Sequence, residues 1–93
     1  MPFGSPDKTY PFLANWNSVA AVYGIMNDKK QMIYIGQTED LKRRMDEHAN
    51  DKAHCMHKYG PALVWVDVIS GGELSRRARE RALLAEYNPP CNA

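Results

Sequence analysis

The spacing of apolar positions changes along the chain. Residues 20 to 26 (AAVYGIM) and 32 to 37 (MIYIGQ) are two short apolar runs on either side of Asn27-Asp28-Lys29-Lys30. Runs of this length bounded by a polar turn predict an antiparallel hairpin. Directly after it the period lengthens, and Leu41, Arg44, Met45 and His48 recur at helical spacing on one stripe. Thr38 is the expected N-cap, and Glu39 and Asp40 bring negative charge to the positive end of the helix dipole. The helix is predicted to run to about Ala49, with Asn50 as its stop. Half of its stripe is polar, and a charged residue on a buried stripe needs a partner or a purpose.

Residues 51 to 61 (DKAHCMHKYGP) form a connection with room for one helical turn. From 62 to 69, Leu63, Trp65, Asp67 and Ile69 alternate with Ala62, Val64, Val66 and Val68, which predicts a third strand. Ser70-Gly71-Gly72 turns the chain into a second helix over 73 to 87, ended by Pro89 and Pro90. Ahead of the hairpin, residues 1 to 9 read as a frayed end, while Tyr10, Phe12, Leu13 and Trp16 are apolar without a clear period. Residues 1 to 15 are therefore expected to be a partly disordered N-terminal extension to a domain of residues 16 to 93. The order β-β-α-β-α predicts an α/β (α+β) fold, a small three-stranded antiparallel sheet flanked by helices.

A length of 93 residues holds one domain with a modest two-layer core. An apolar share of 44% and a charged share of 25% are those of an ordinary globular chain. No apolar run approaches the ~20 residues that cross a bilayer, and the amino terminus lacks the order of a secretory signal. Cys55 and Cys91 are too few for a disulfide framework and point to a reducing cytoplasm. His54, Cys55 and His57 crowd together without a second ligand pair at finger spacing, a poor structural zinc site even with Cys91. The net charge of +1 argues against a strong nonspecific nucleic-acid binder. Its distribution says more, with Lys42, Arg43 and Arg44 together and Arg76, Arg77, Arg79 and Arg81 together. Taken singly, each cluster reads as a solvated helix face.

Tyr34-Ile35-Gly36, preceded by Ala21-Val22-Tyr23, resembles the paired signature of the GIY-YIG nucleases. That fold serves in phage homing endonucleases, some restriction enzymes, branched-DNA resolvases and the nicking subunit of bacterial excision repair. The stretch GQTEDLKRRMDEH is similar to the family's next segment, where an arginine and a histidine lie one turn apart, here Arg44 and His48. ERALLAEYNPPCN resembles its last motif, which falls on Glu80, Leu83-Leu84, Tyr87, Pro89 and Asn92. The likeness covers about residues 16 to 92. It departs at Ala21 and Val22, where the family name has glycine and isoleucine, but keeps the tyrosine.

The resemblance implies a metal-dependent DNA endonuclease, a phosphodiester hydrolase of DNA repair or recombination. Such cleavage needs an activated water, a cation against the phosphoryl charge, and help for the leaving alkoxide. On the family's pattern, Glu80 is the metal ligand, and one carboxylate suits Mg²⁺ (or Mn²⁺), which keeps much of its hydration. Arg44 offers a guanidinium fork to the scissile phosphate. Tyr23 is a candidate general base, His48 can carry the proton or act as base itself, Tyr34 orients the water, and Asn92 closes the catalytic set. Gly36, Lys42, Arg43, His57 and Lys58 are expected at the substrate.

The same residues also have plainer uses. Tyr23 and Tyr34 could stack across the hairpin, Arg44 and His48 could be a surface pair, and Glu80 could bridge to Arg76 or Arg77. The alternative is then a catalytically silent nucleic-acid-binding module or a protein-interaction domain on the same fold. Family members that choose specific sites carry extra DNA-reading modules, and no residues remain here to build one. Cutting is therefore expected to be structure-guided or weakly sequence-selective, with a protein partner or a homodimer supplying target recognition and no membrane involved.

Overall fold

Asn27 builds the hairpin turn. In the computed structural model, which describes residues 9 to 69 and 71 to 92, its Oδ1 accepts from the backbone N–H of Lys29 and of Gln31, both at 2.9 Å. Lys30 closes the turn with a φ of 63°. The turn joins β2 (Ala21–Met26) to β3 (Met32–Thr38) in an antiparallel pair. The expected third strand, β4 (Leu63–Val68), pairs antiparallel with the other side of β2. β2 is thus central, and all six of its residues are buried.

The sheet has a fourth strand. β1 (Thr9–Pro11) pairs antiparallel with β4, giving the order β1-β4-β2-β3. The three-stranded sheet expected from the sequence is corrected here to four strands. From Thr9 onward the chain belongs to the fold. Phe12 is buried in the core, and Trp16 packs on that cluster with its Nε1–H on the Phe12 carbonyl, 3.2 Å away. Three residues that end in a proline show no period, and a proline is tolerated because this strand is an edge. The frayed end expected for residues 1 to 9 otherwise lies outside the described residues, as does Ser70 of the Ser70-Gly71-Gly72 turn.

Helix α1 (Leu41–Asn50) starts later than expected. Its N-cap is Asp40, whose carboxylate accepts from the Arg43 N–H at 3.2 Å. The Thr38 hydroxyl instead accepts from the Asp40 N–H at 3.1 Å, turning the chain out of β3. Helix α2 (Gly72–Tyr87) is closed by Asn88 in the left-handed conformation, with its N–H on the Leu84 carbonyl at 2.9 Å. Single 3₁₀ turns form over Cys55–Lys58 and Pro90–Asn92. Cys55 and Cys91, 36 residues apart, join these two turns in a disulfide, which the two-cysteine count did not lead us to expect.

The helices lie on opposite faces of the sheet. Leu41 and Met45 of α1 pack with Tyr23, Ile25 and Met56 on one face. Leu83 of α2 packs with Val22 and Ile35 on the other, flanked by Trp65, Leu84 and Tyr87. Alternation along β2 and β3 feeds both layers. A salt bridge from Arg79 Nε to Asp67 Oδ2, at 2.9 Å, ties α2 to β4.

Candidate active site

The strand register explains the second glycine of the signature. Tyr23 is the cross-strand partner of Gly36, and Tyr34 that of Ile25, so the two tyrosines are diagonal neighbours rather than directly opposite. Their ring centroids are 6.3 Å apart at a tilt of 42°. A Cβ at residue 36 would sit 2.5 Å from Tyr23 Oη and 2.7 Å from its Cζ. Only glycine lets the Tyr23 ring cross β3 toward the open edge of the sheet. The structure therefore gives Gly36 a packing role beneath Tyr23.

Tyr23 is fully buried, with its hydroxyl 2.7 Å from His48 Nε2. Burial, reinforced by Tyr34, pushes its pKa well above that of an ordinary phenol. The hydroxyl is thus protonated at neutral pH, and it donates to His48 when the imidazole carries its proton on Nδ1. Burial first, then the charge of Arg44 and the neighbouring His54, push the pKa of His48 down to about 4. His48 is therefore a neutral imidazole, whose Nε2 accepts in the Nδ1–H tautomer. It lies on the α1 stripe with Leu41 and Met45, so the polar half of that stripe is the site itself.

The loop after α1 fixes the imidazole. His57 Nε2–H donates to the His48 carbonyl at 2.8 Å, so this residue, expected at the substrate, holds the end of α1. His54 was not singled out for the site, yet its ring packs edge-on against Tyr34 at 5.0 Å and His48 at 5.5 Å. Its Nδ1 accepts from the Met56 N–H at 3.1 Å.

Arg44 stands half-exposed beside the hydroxyls of Tyr23 and Tyr34 and pairs with Glu47 at 3.3 Å. Burial works against its charge, but these partners outweigh it and raise its pKa, so the guanidinium is firmly cationic. Arg43 joins Arg44 on the wall of a polar cavity of about 460 Å³, while Lys42 and Lys58 are exposed.

Glu80 lies on the inner stripe of α2, across the edge of β3. β3 is the last strand of the sheet, and α2 lies against it. The charge of Glu80 acts on Tyr23 there. Burial raises its carboxyl pKa, against the opposing pull of Arg77. The salt bridge to Arg76 or Arg77, the plainer use of Glu80, does not form among the described residues. Arg76 donates to Gln37 Oε1 at 3.0 Å, and Arg77 pairs with Glu73 at 3.3 Å. Among the described residues Glu80 makes no hydrogen bond or salt bridge.

Asn92 reaches the same strand from outside. Its Oδ1 accepts from the Ile35 N–H and its Nδ2 donates to the Ile35 carbonyl, both at 2.8 Å. The amide adds one rung to the edge of β3, and the disulfide at Cys91 anchors the turn that carries it. Asn92 thus acts through the strand that bears Tyr34 and Gly36. Gln37 and Arg76 do not stand out as site residues in the sequence. The available signal was the four-residue step from Arg76 to Glu80, which puts both on one helix face.

Comparisons with known proteins agree with this arrangement. A family model described as the GIY-YIG catalytic domain matches residues 19–92, which include both tyrosines, Arg44, His48, Glu80 and Asn92. UvrABC system protein C of Pasteurella multocida (strain Pm70) is 34% identical over 77 residues, covering 83% of this chain but 12% of that protein. On the fold, the site and these matches together, the chain belongs to the GIY-YIG nuclease superfamily.

Proposed function

We propose that this domain is a metal-dependent endonuclease that hydrolyses phosphodiester bonds in DNA, guided by DNA structure more than by sequence. The observation that carries the reading is Tyr23 hydrogen-bonded to a neutral His48 beside the Arg44 cation, with Glu80 close enough for its charge to act on Tyr23. A buried phenol of raised pKa is a poor base by itself. The arrangement suits a relay instead. As water attacks phosphorus, one water proton passes to Tyr23 Oη and the tyrosine proton passes to His48 Nε2. Arg44 holds the phosphoryl oxygens and balances the charge that grows on them.

The donor set fits a hard divalent cation held lightly. Glu80 is a single half-buried carboxylate with no salt bridge among the described residues, and no cluster of three or more histidine, cysteine or acidic ligands occurs among them. One carboxylate, with waters and substrate oxygens completing the shell, is a Mg²⁺ or Mn²⁺ arrangement. Such an ion would stabilise charge on the leaving oxygen. Target choice would come from DNA shape, from a protein partner, or from pairing of two copies.

The test is cleavage of linear, nicked and branched DNA by the purified protein, with Mg²⁺ and with a chelator. Metal-dependent cutting that favours the nicked or branched forms is expected. Binding without cutting of any form would replace this reading with a silent binding module, and neither binding nor cutting would favour an interaction domain.

A further inference from the structure

We infer that the polar cavity between the starts of α1 and α2 is a second phosphate subsite, in which Arg76, oriented by Gln37, takes a phosphate flanking the one at Arg44. This rests on the DNA-cutting reading above and adds a contact to it.

Arg76 is only 8% exposed, and its only hydrogen bond among the described residues is Nε–H to Gln37 Oε1 at 3.0 Å. A guanidinium carries five N–H donors; no nitrogen of Arg76 is buried without a partner, so the four N–H groups that Gln37 does not take face the open cavity. Three other arginines differ in this respect. Arg44, Arg77 and Arg79 each hold a carboxylate, namely Glu47, Glu73 and Asp67. Gln37 fixes the plane of the Arg76 group through its Nε and leaves the outer edge, with two parallel N–H donors, for a bidentate acceptor.

The surroundings suit one phosphate. The cavity, about 460 Å³, is large enough for a phosphate and the sugar atoms beside it, and Arg43 and Arg44 share its wall with Arg76. Glu47 and Glu73 also line it, but each is held by an arginine of its own helix. Glu39 lines it too, so three carboxylates face three guanidinium groups on this wall. Arg76 stands one helical turn before Glu80, about 6 Å along the same face, which is the scale of one nucleotide step.

The test is a binding cycle in chelator, so that nothing is cut, using a nicked duplex with a single neutral methylphosphonate placed in turn at each position around the nick. Arg76→Gln is expected to weaken binding of the unmodified duplex about tenfold and to lower the salt slope by about one. One flanking methylphosphonate should weaken wild-type binding to a similar degree and leave Arg76→Gln unchanged. Arg76→Met, which keeps the apolar stem, serves as the second variant should Arg76→Gln fail to fold. The proposal is overturned if the variant and methylphosphonate effects multiply at every position, or if both variants unfold, which would make Arg76 structural. A wild-type protein that binds no DNA would remove the nuclease reading and this subsite with it.

Discussion

Gly36→Ala is the sharpest probe of how the site is built. The new Cβ would meet Tyr23 Oη at 2.5 Å, whereas ordinary contact begins near 3.4 Å, so the hydroxyl end must retreat by about 0.9 Å. It has little room to do so, because Tyr23 is fully buried and its hydroxyl sits 2.7 Å from His48. Overpacking of this kind costs about 1–3 kcal/mol, and weakening the hydrogen bond adds about 1 kcal/mol. The sum, about 2–4 kcal/mol, would lower the melting temperature of a domain this size by roughly 10–30 °C. Urea and thermal unfolding measure the loss, and single-turnover cleavage measures the displaced hydroxyl. Gly60→Ala is the control. Gly60 has a φ of +70° with nothing within 4 Å of an added Cβ, so that change should cost about 1 kcal/mol and leave cutting per folded molecule intact. If Gly36→Ala costs less than about 0.5 kcal/mol and cuts at the wild-type rate, the packing of Tyr23 over residue 36 is refuted.

Asn92→Ala strips both hydrogen bonds from the buried Ile35 and should cost about 1–3 kcal/mol, with faster hydrogen exchange at the Ile35 amide; unchanged exchange there would contradict the clamp. Because His48 titrates near pH 4 when folded against 6.5 ordinarily, the unfolded chain binds more protons between those values. Stability should therefore fall on acidification through that window, by up to about 1.4 kcal/mol per pH unit, and be insensitive to His48 above it. Taking the difference between wild type and His48→Gln removes the opposite contribution of Glu80, whose raised carboxyl pKa favours the folded state as pH drops. Parallel stability curves for the two proteins would count against a neutral buried His48. Arg44→Ala should lose cutting and also weaken DNA binding, since a phosphate contact goes with it; full binding would place the scissile phosphate elsewhere.

Elements set by local pattern are legible in the sequence. The hairpin, β4 and both helices follow from apolar spacing and turn residues, and the paired tripeptides with Arg44, His48, Glu80 and Asn92 mark the family. What stays hidden depends on tertiary contact. β1 is three residues long and exists because β4 offers an edge. Thr38 and Asp40 are both good caps two residues apart, and sequence alone does not rank them. The local i, i±4 rule offers Arg76 and Arg77 to Glu80, but Gln37 on β3 and Glu73 take them in the fold. Gly36 and Asn92 read as site residues, yet the former makes room for Tyr23 and the latter extends β3. The disulfide is likewise a matter of two turns meeting.

The most direct test is the single-turnover cleavage rate of a nicked or branched duplex by Glu80→Gln in Mg²⁺. The substitution keeps size and helix propensity and removes only the charge. No salt bridge is lost among the described residues, and the burial penalty on the carboxylate is relieved, so folding and DNA binding should persist. Cleavage is expected to fall at least ~10²-fold, about 2.7 kcal/mol of transition-state stabilisation. Metal-dependent cutting by folded Glu80→Gln at the wild-type rate would contradict the account.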